Sequence, residues 1–206
     1  MRFHNVGALT GVGAGLAFAV FPLLRPWGDK QGGLDGMTAA FVSPLWVASH
    51  LVGMVAWILL SASAVAATRR VPALLMALGT MLVLPFYGAE AFGLHGLATT
   101  GGDIMAGQAA IRGGVPQMVM FASGLVLLAV AVLAELGRDR RWPTAVMALG
   151  LASYLPQFFL VPQMRILHGL LLGAGCVAWA LSTPRLEAPR KGQTARAALR
   201  PTFHSA

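Results

Sequence analysis

The sequence predicts an all-α, polytopic membrane protein with six transmembrane helices in one bundle and both termini on the cytoplasmic side. Of its 206 residues, 57% are hydrophobic and only 11% are charged, whereas soluble domains carry about 25% charged residues. Apolar runs recur along the chain, each close to the ~20 residues that cross a hydrocarbon core of ~30 Å. No run alternates polar and apolar residues in the way that a barrel strand does.

Each apolar run is interpreted as a helix, because open strand edges are not tolerated in lipid. Two longer polar, glycine-rich connections, residues 25–42 and 99–114, are predicted to be loops. Residues 1–182 form one domain, and residues 183–206 are predicted to be a basic, disordered cytoplasmic tail, since they contain prolines and no apolar period. The six predicted spans cover about residues 6–24, 44–67, 71–95, 115–136, 142–161 and 164–181.

Glycines four residues apart in the first and last spans predict close packing between helices. They are Gly7, Gly11 and Gly15 in the first span, and Gly169 and Gly173 in the last. Small residues at this spacing let two helix backbones approach each other within a membrane. We therefore interpret these two spans as packing helices.

The basic residues predict the topology. With six spans, 11 of the 15 Lys and Arg residues lie on the side of both termini, and four lie on the other side: Arg25, Lys30, Arg112 and Arg165. Positive charge marks cytoplasmic loops, so we expect a multi-pass protein of the plasma (inner) membrane with both termini inside. Small residues at 17–19 leave a cleaved signal peptide open as an alternative for the first span.

Two function classes are disfavoured by the composition. The net charge is +8, but the basic residues flank apolar runs and do not form one patch with interleaved aromatics, so we expect no nucleic-acid partner. The single cysteine, Cys176, excludes an intrachain disulfide and a cysteine metal cluster.

Polar residues within the predicted spans concentrate in their outer halves. Glu90 lies in the apolar stretch LPFYGAEAFGLHGLA, residues 84–98, and a carboxylate at such a depth predicts a functional acid/base or a structural ion pair. We expect Arg165, His50 or His168 to be its partner. The predicted binding residues around it are His50, Tyr87, His95, Tyr154, Gln157, Arg165 and His168.

The spacing of the polar residues along the third span places them on different faces of the helix. Tyr87 and Glu90 are three apart and share a helix face. His95 is five residues after Glu90, about 140° around a regular helix. We therefore expect His95 to reach the same pocket only if the helix unwinds near Gly93.

These features favour a membrane binding or scaffold subunit with a polar His/Glu/Arg pocket, whose partners are the lipid bilayer and either a second copy or another membrane subunit. Three alternatives stay open. One is a b-type heme protein with His50 and His168 as ligands, or His95 in place of one of them. The others are an outer-leaflet enzyme that modifies a lipid or isoprenoid, and a proton-coupled transporter or channel subunit. No nucleophile elbow or zinc-helix motif indicates a reaction class.

Overall fold

The computed structural model describes residues 2–182, with side chains from Val6 onward, and the predicted tail at 183–206 lies outside the described residues. Within residues 2–182 the chain is helical and contains no strand. The helices are α1 (Arg2–Leu24), α2 (Gly33–Val42), α3 (Pro44–Ala67), α4 (Arg70–Gly88), α5 (His95–Thr100), α6 (Ile104–Gly113), α7 (Val115–Arg138), α8 (Trp142–Ala152) and α9 (Pro162–Ser182). A π-helical segment, Ala89–Leu94, joins α4 to α5, and short 3-10 turns form at Gly28–Lys30 and Pro156–Phe159.

Five of these segments are long and apolar enough to cross a membrane, so the chain is a membrane protein by the length and composition of its helices. They are Val6–Leu24, Pro44–Ala67, Arg70–Thr100, Val115–Arg138 and Pro162–Ser182. Their surfaces carry many exposed apolar side chains, such as Leu9 and Val71. A bilayer would cover side chains of this kind.

The predicted fifth helix, residues 142–161, is interrupted, so the expectation of six membrane-length helices is wrong at this segment. Helix α8 has 11 residues, about 16 Å at 1.5 Å per residue, which is roughly half of a hydrocarbon core. Pro156 explains where it ends, because proline lacks the N–H that would bond the Ala152 carbonyl and its ring clashes with that group. Residues 153–161 continue as turns until Pro162 begins α9.

Both predicted long loops contain helices. Helix α2 lies within residues 25–42, and α6 lies within residues 99–114. The Asp103 side chain caps α6 by accepting a hydrogen bond of 2.9 Å from the Ala106 N–H, as is typical of helix N-termini. A small buried apolar cluster, separate from the main core of the bundle, packs beneath these helices. It includes Phe41, Trp46 and Leu94. We call α2, α5 and α6 the cap layer, since they cover one end of the bundle.

The first and last helices pack closely, as their glycine spacing predicts. Helix α1 packs against both α3 and α9, and α4 packs against α7. A Cβ atom at Gly15 would lie 2.5 Å from the Gly173 carbonyl oxygen, and one at Gly169 would lie 2.6 Å from Cγ of Pro22. Both distances are too short for a side chain, so the backbone of α9 touches the backbone of α1 at Gly15 and the ring of Pro22 at Gly169.

Candidate functional site

A cavity of about 220 Å³ lies under the cap layer, inside the bundle. Aromatic rings from α1, α4 and α7 form part of its wall, including Phe18, Phe86 and Phe121. The other part is polar and contains every basic residue that the sequence assigns to the outer side. The polar and titratable lining residues are Arg25, Lys30, His50, Tyr87, Glu90, Arg112, Tyr154, Gln157, Arg165 and His168.

Glu90 sits in the π-helical segment and is 5% exposed. Arg112 of the cap layer donates to both of its carboxylate oxygens, from Nε to Oε1 at 2.5 Å and from Nη2 to Oε2 at 2.9 Å. The second neighbour is His50, whose Nε2 lies 3.6 Å from Oε2. The Trp46 indole donates to the backbone carbonyl of Glu90 at 2.7 Å. Glu90 therefore fixes the cap layer to the bundle through a bidentate ion pair.

Asp29 extends this ion pair into a network. Its two carboxylate oxygens accept hydrogen bonds of 2.9 and 2.8 Å from Arg25, and Arg112 Nη2 lies 3.0 Å from Oδ2. Burial opposes ionisation of Asp29, but Arg25 and Arg112 outweigh it and lower the pKa of Asp29. Burial likewise opposes the charge of Arg112, yet Glu90 and Asp29 raise its pKa. Both groups are therefore charged at neutral pH.

Arg165 lines the same cavity but has no acidic partner among the side chains that the structure describes. It is 7% exposed, and its Nε donates to the Gln157 side-chain oxygen at 3.0 Å. Its guanidinium carbon lies 4.9 Å from the ring centres of both Trp27 and Phe158. Its Nη1 is buried and makes no hydrogen bond, and no carboxylate among residues 6–182 lies within 4.0 Å. A buried donor without a partner costs about 1–3 kcal/mol, and more when it is charged.

Lys30 adds a second cation without an ion pair among the described side chains. Its side chain is exposed where the cavity reaches the cap layer. Desolvation and the nearby Arg112 lower the pKa of Lys30 to about 8, against the opposing effect of Asp29. Lys30 is therefore still largely protonated at neutral pH.

The histidines make interhelical and local hydrogen bonds. Nδ1 of His50 lies 2.7 Å from the Trp46 carbonyl oxygen, and Nε2 of His168 lies 2.8 Å from the Gly150 carbonyl oxygen. Because a carbonyl only accepts, each of these nitrogens is a donor. This arrangement does not fit a bis-histidine heme site, in which His168 would have to release Gly150 or bind through Nδ1. Within residues 6–182, no three His, Cys, Asp or Glu side chains are placed to hold a metal.

Tyr87 and Tyr154 join two segments of the chain at the wall of the cavity. Their hydroxyl groups hydrogen-bond to each other, and both side chains are buried. The Tyr87 ring also packs near Phe21 and His50. This pair connects α4 to the turns that follow α8.

The structure places Glu90 and six of the seven predicted binding residues along the cavity, and ligand binding by them stays a prediction. His95 lies apart, with Nδ1 2.7 Å from the Phe41 carbonyl oxygen. Of the three expected partners of Glu90, only His50 approaches it, and no ion pair joins Glu90 to Arg165 or His168. The third span also does not unwind near Gly93 but widens into a π-helix.

Four further residues belong to the site although no sequence pattern predicted them: Arg25, Asp29, Lys30 and Arg112. Arg112, the main partner of Glu90, lies in a segment that was interpreted as a loop. Asp103 followed by the apolar residues of 104–111 is a helix start signal that could have placed Arg112 on a helix. Nothing local in the sequence indicates its contact with Glu90, 22 residues away.

Comparison with known proteins adds no relative. The chain matches no family model, no curated protein and no solved structure.

Proposed function

We propose that this protein is a membrane binding protein that holds an anionic group, a phosphate or a carboxylate, in the cavity under its cap layer. The observation that carries the proposal is that Arg165 lines the cavity while its buried Nη1 makes no hydrogen bond. An anion there would complete the hydrogen bonding of a guanidinium that already bonds Gln157. Such charge-assisted bonds are roughly twice as strong as neutral ones.

The balance of charges in the cavity supports the same proposal. The negative charges of Asp29 and Glu90 are already paired with Arg25 and Arg112. The positive charges of Arg165 and Lys30 are left over. Arg165 is buried, so little water screens its charge and it favours a negative ligand, and Lys30 adds positive charge at the exposed part of the lining.

We further propose that the chain crosses the plasma membrane six times, with both termini in the cytoplasm and the cap layer outside. The Arg141 guanidinium bonds the Ser182 carbonyl at the end of α9, whereas Pro162 begins α9. Residues 142–161 therefore run along α9, about 30 Å for 21 residues. This supports a fifth crossing made of α8 and the following turns, and the positive-inside bias supports the orientation.

The other functions considered have less support. Glu90 is held by two guanidinium hydrogen bonds, which suits a structural carboxylate better than a free acid or base. A transporter needs a polar path across the bundle, but the hydroxyls of Ser61 and Thr80 toward the other end bond to each other. A scaffold that assembles with a second copy or another subunit remains compatible with anion binding.

The test is anion-selective binding that depends on Arg165. We expect dodecyl phosphate to raise the Tm of the purified protein, whereas dodecanol and dodecyltrimethylammonium at equal ionic strength leave it unchanged. Arg165→Gln should raise the Kd for dodecyl phosphate roughly 10- to 100-fold, the equivalent of one charge-assisted hydrogen bond.

Arg138→Gln is the matched control, because it also removes one positive charge but from an exposed site, where Arg138 pairs with Glu135. It should leave the Kd unchanged. Equal responses to the anionic and cationic amphiphiles, or equal effects of the two substitutions, would refute the proposed function.

A further inference from the structure

The wall of the cavity is not helical where α8 ends. Helices α7 and α9 have 24 and 21 residues, but α8 between them stops at Ala152 after 11. The rest of this wall consists of residues 153–161, which include the 3-10 turn Pro156–Phe159. The bundle is therefore closed here by turns in the half that holds the cavity.

The cavity reaches the surface of the bundle at an exposed aromatic side chain. Phe159 lines the cavity and is nevertheless 87% exposed. Its neighbours Leu160 and Val161 are also exposed, as is Val119 on α7, next to the cavity residue Met118. We call this edge of the cavity, lined by Met118 and Phe159, the side mouth. The exposed side chains named here are all apolar.

The lining changes in chemistry across the cavity. Arg165, Gln157 and Lys30 offer hydrogen-bond donors and positive charge, whereas Phe121, Phe158 and Phe159 offer rings. A ligand that satisfies both parts has an anionic head and an apolar chain. The volume, about 220 Å³, is below the ~300–1,000 Å³ typical of sites that enclose a drug-sized ligand. A cavity of this volume suits an anionic head group together with the first part of one apolar ligand chain.

We propose that the ligand is a single-chain anionic lipid, such as an alkyl or isoprenyl phosphate or a fatty acid, which enters from the bilayer through the side mouth. Its head group binds Arg165, and its chain passes Phe158 and Phe159 into the surrounding lipid. This inference rests on the proposed anion-binding function and adds the source of the anion and its route.

The first experiment compares dodecyl phosphate with inorganic phosphate by titration of the purified protein. We expect dodecyl phosphate to bind much more tightly than inorganic phosphate, and Arg165→Gln to weaken it. Equal affinity for both, still lost in Arg165→Gln, would overturn the lipid inference and leave the anion-binding function intact. Absence of any dependence on Arg165 would instead overturn the proposed function itself.

The second experiment tests the route. In a Cys176→Ala background, Phe159→Cys is labelled with a bulky maleimide, and Val130→Cys, which is exposed on α7 away from the cavity, is the matched control. Trp27 lines the cavity, so stopped-flow tryptophan fluorescence can follow association of dodecyl phosphate. The label at residue 159 should slow association several-fold relative to the label at residue 130. Equal association rates, with both labelled proteins folded by Tm, would overturn entry through the side mouth.

Discussion

At the scale of single residues, Arg112 determines how the buried carboxylates are neutralised. It contacts Glu90 and Asp29 at once, and these lie on different segments of the chain. Removing one partner from a buried ion pair leaves the other charge uncompensated, which costs about 3–5 kcal/mol. The charge on Glu90 is therefore explained by structure before any catalytic role is invoked.

Glu90→Gln should lower the free energy of unfolding by about 3 kcal/mol, because Arg112 then loses its main partner in a buried site. The same loss is expected for Arg112→Gln, and the double variant should lose less than the sum of the two. Unfolding of the three variants in mixed micelles measures this coupling. Dodecyl phosphate binding should persist in Glu90→Gln, since the proposed anion site is at Arg165.

The exposed pair of Glu135 and Arg138 provides the control. Its double-mutant cycle should give a coupling below about 1 kcal/mol. A similarly small coupling between Glu90 and Arg112, or loss of binding without loss of stability in Glu90→Gln, would contradict the structural role of Glu90.

At the scale of elements, the π-helical segment Ala89–Leu94 sets the direction of Glu90. A π-helical turn accommodates one residue more than an α-helical turn and often occurs at functional sites. Here it coincides with the Trp46 hydrogen bond to the Glu90 carbonyl. The wide turn and its contact together hold the carboxylate toward the cap layer.

Deleting Ala89 removes the extra residue of the π-helical turn and should restore a regular helix, in which Glu90 takes the place of Ala89, about 100° around the helix from its present direction. We expect this deletion to separate Glu90 from Arg112, lower the Tm and weaken dodecyl phosphate binding. Ala89→Ser keeps the length of the segment and should leave both quantities near their original values. A deletion variant with an unchanged Tm would show that the π-helical segment is dispensable.

The sequence was informative about elements whose signal is local. Long apolar runs predicted six spans, and five of them are membrane-length helices among the described residues. The glycine spacing predicted the close approach of α1 and α9. Pro156 is a visible reason for the helix predicted at residues 142–161 to end early. The apolar character of these residues nevertheless favoured one continuous span. The contact between Arg112 and Glu90 depends on how α6 folds over the bundle, so no local pattern predicts it.

At the scale of the whole molecule, positive charge is distributed very unevenly. All four basic residues that the sequence assigns to the outer side line one cavity: Arg25, Lys30, Arg112 and Arg165. At that end of the bundle, the basic residues line the cavity, and two of them also form its buried ion pairs. The remaining 11 basic residues lie in the segments that the proposed topology places in the cytoplasm.

This topology predicts the labelling of single cysteines in intact cells, in a Cys176→Ala background. Ala109→Cys on α6 and Gln163→Cys at the start of α9 are exposed positions and should react with a membrane-impermeant maleimide. Gly137→Cys, exposed at the other end of α7, should react only after permeabilisation.

The Gln163 position is decisive for the number of crossings. If residues 142–161 did not cross the membrane, Gln163→Cys would react with the maleimide only after permeabilisation, as Gly137→Cys should. Labelling of Gly137→Cys in intact cells would instead reverse the proposed orientation.

The order of the network residues along the chain also bears on biogenesis, because Arg112 follows both carboxylates. Asp29 and Glu90 precede it, so both carboxylates are synthesised and inserted before their shared partner emerges from the ribosome. In the proposed topology α6 has to be translocated, and before it is made Arg25 is the one network arginine present in the nascent chain. The ion-pair network can therefore be completed only after more than half of the protein has been synthesised, and Glu90 lacks its main partner during that interval.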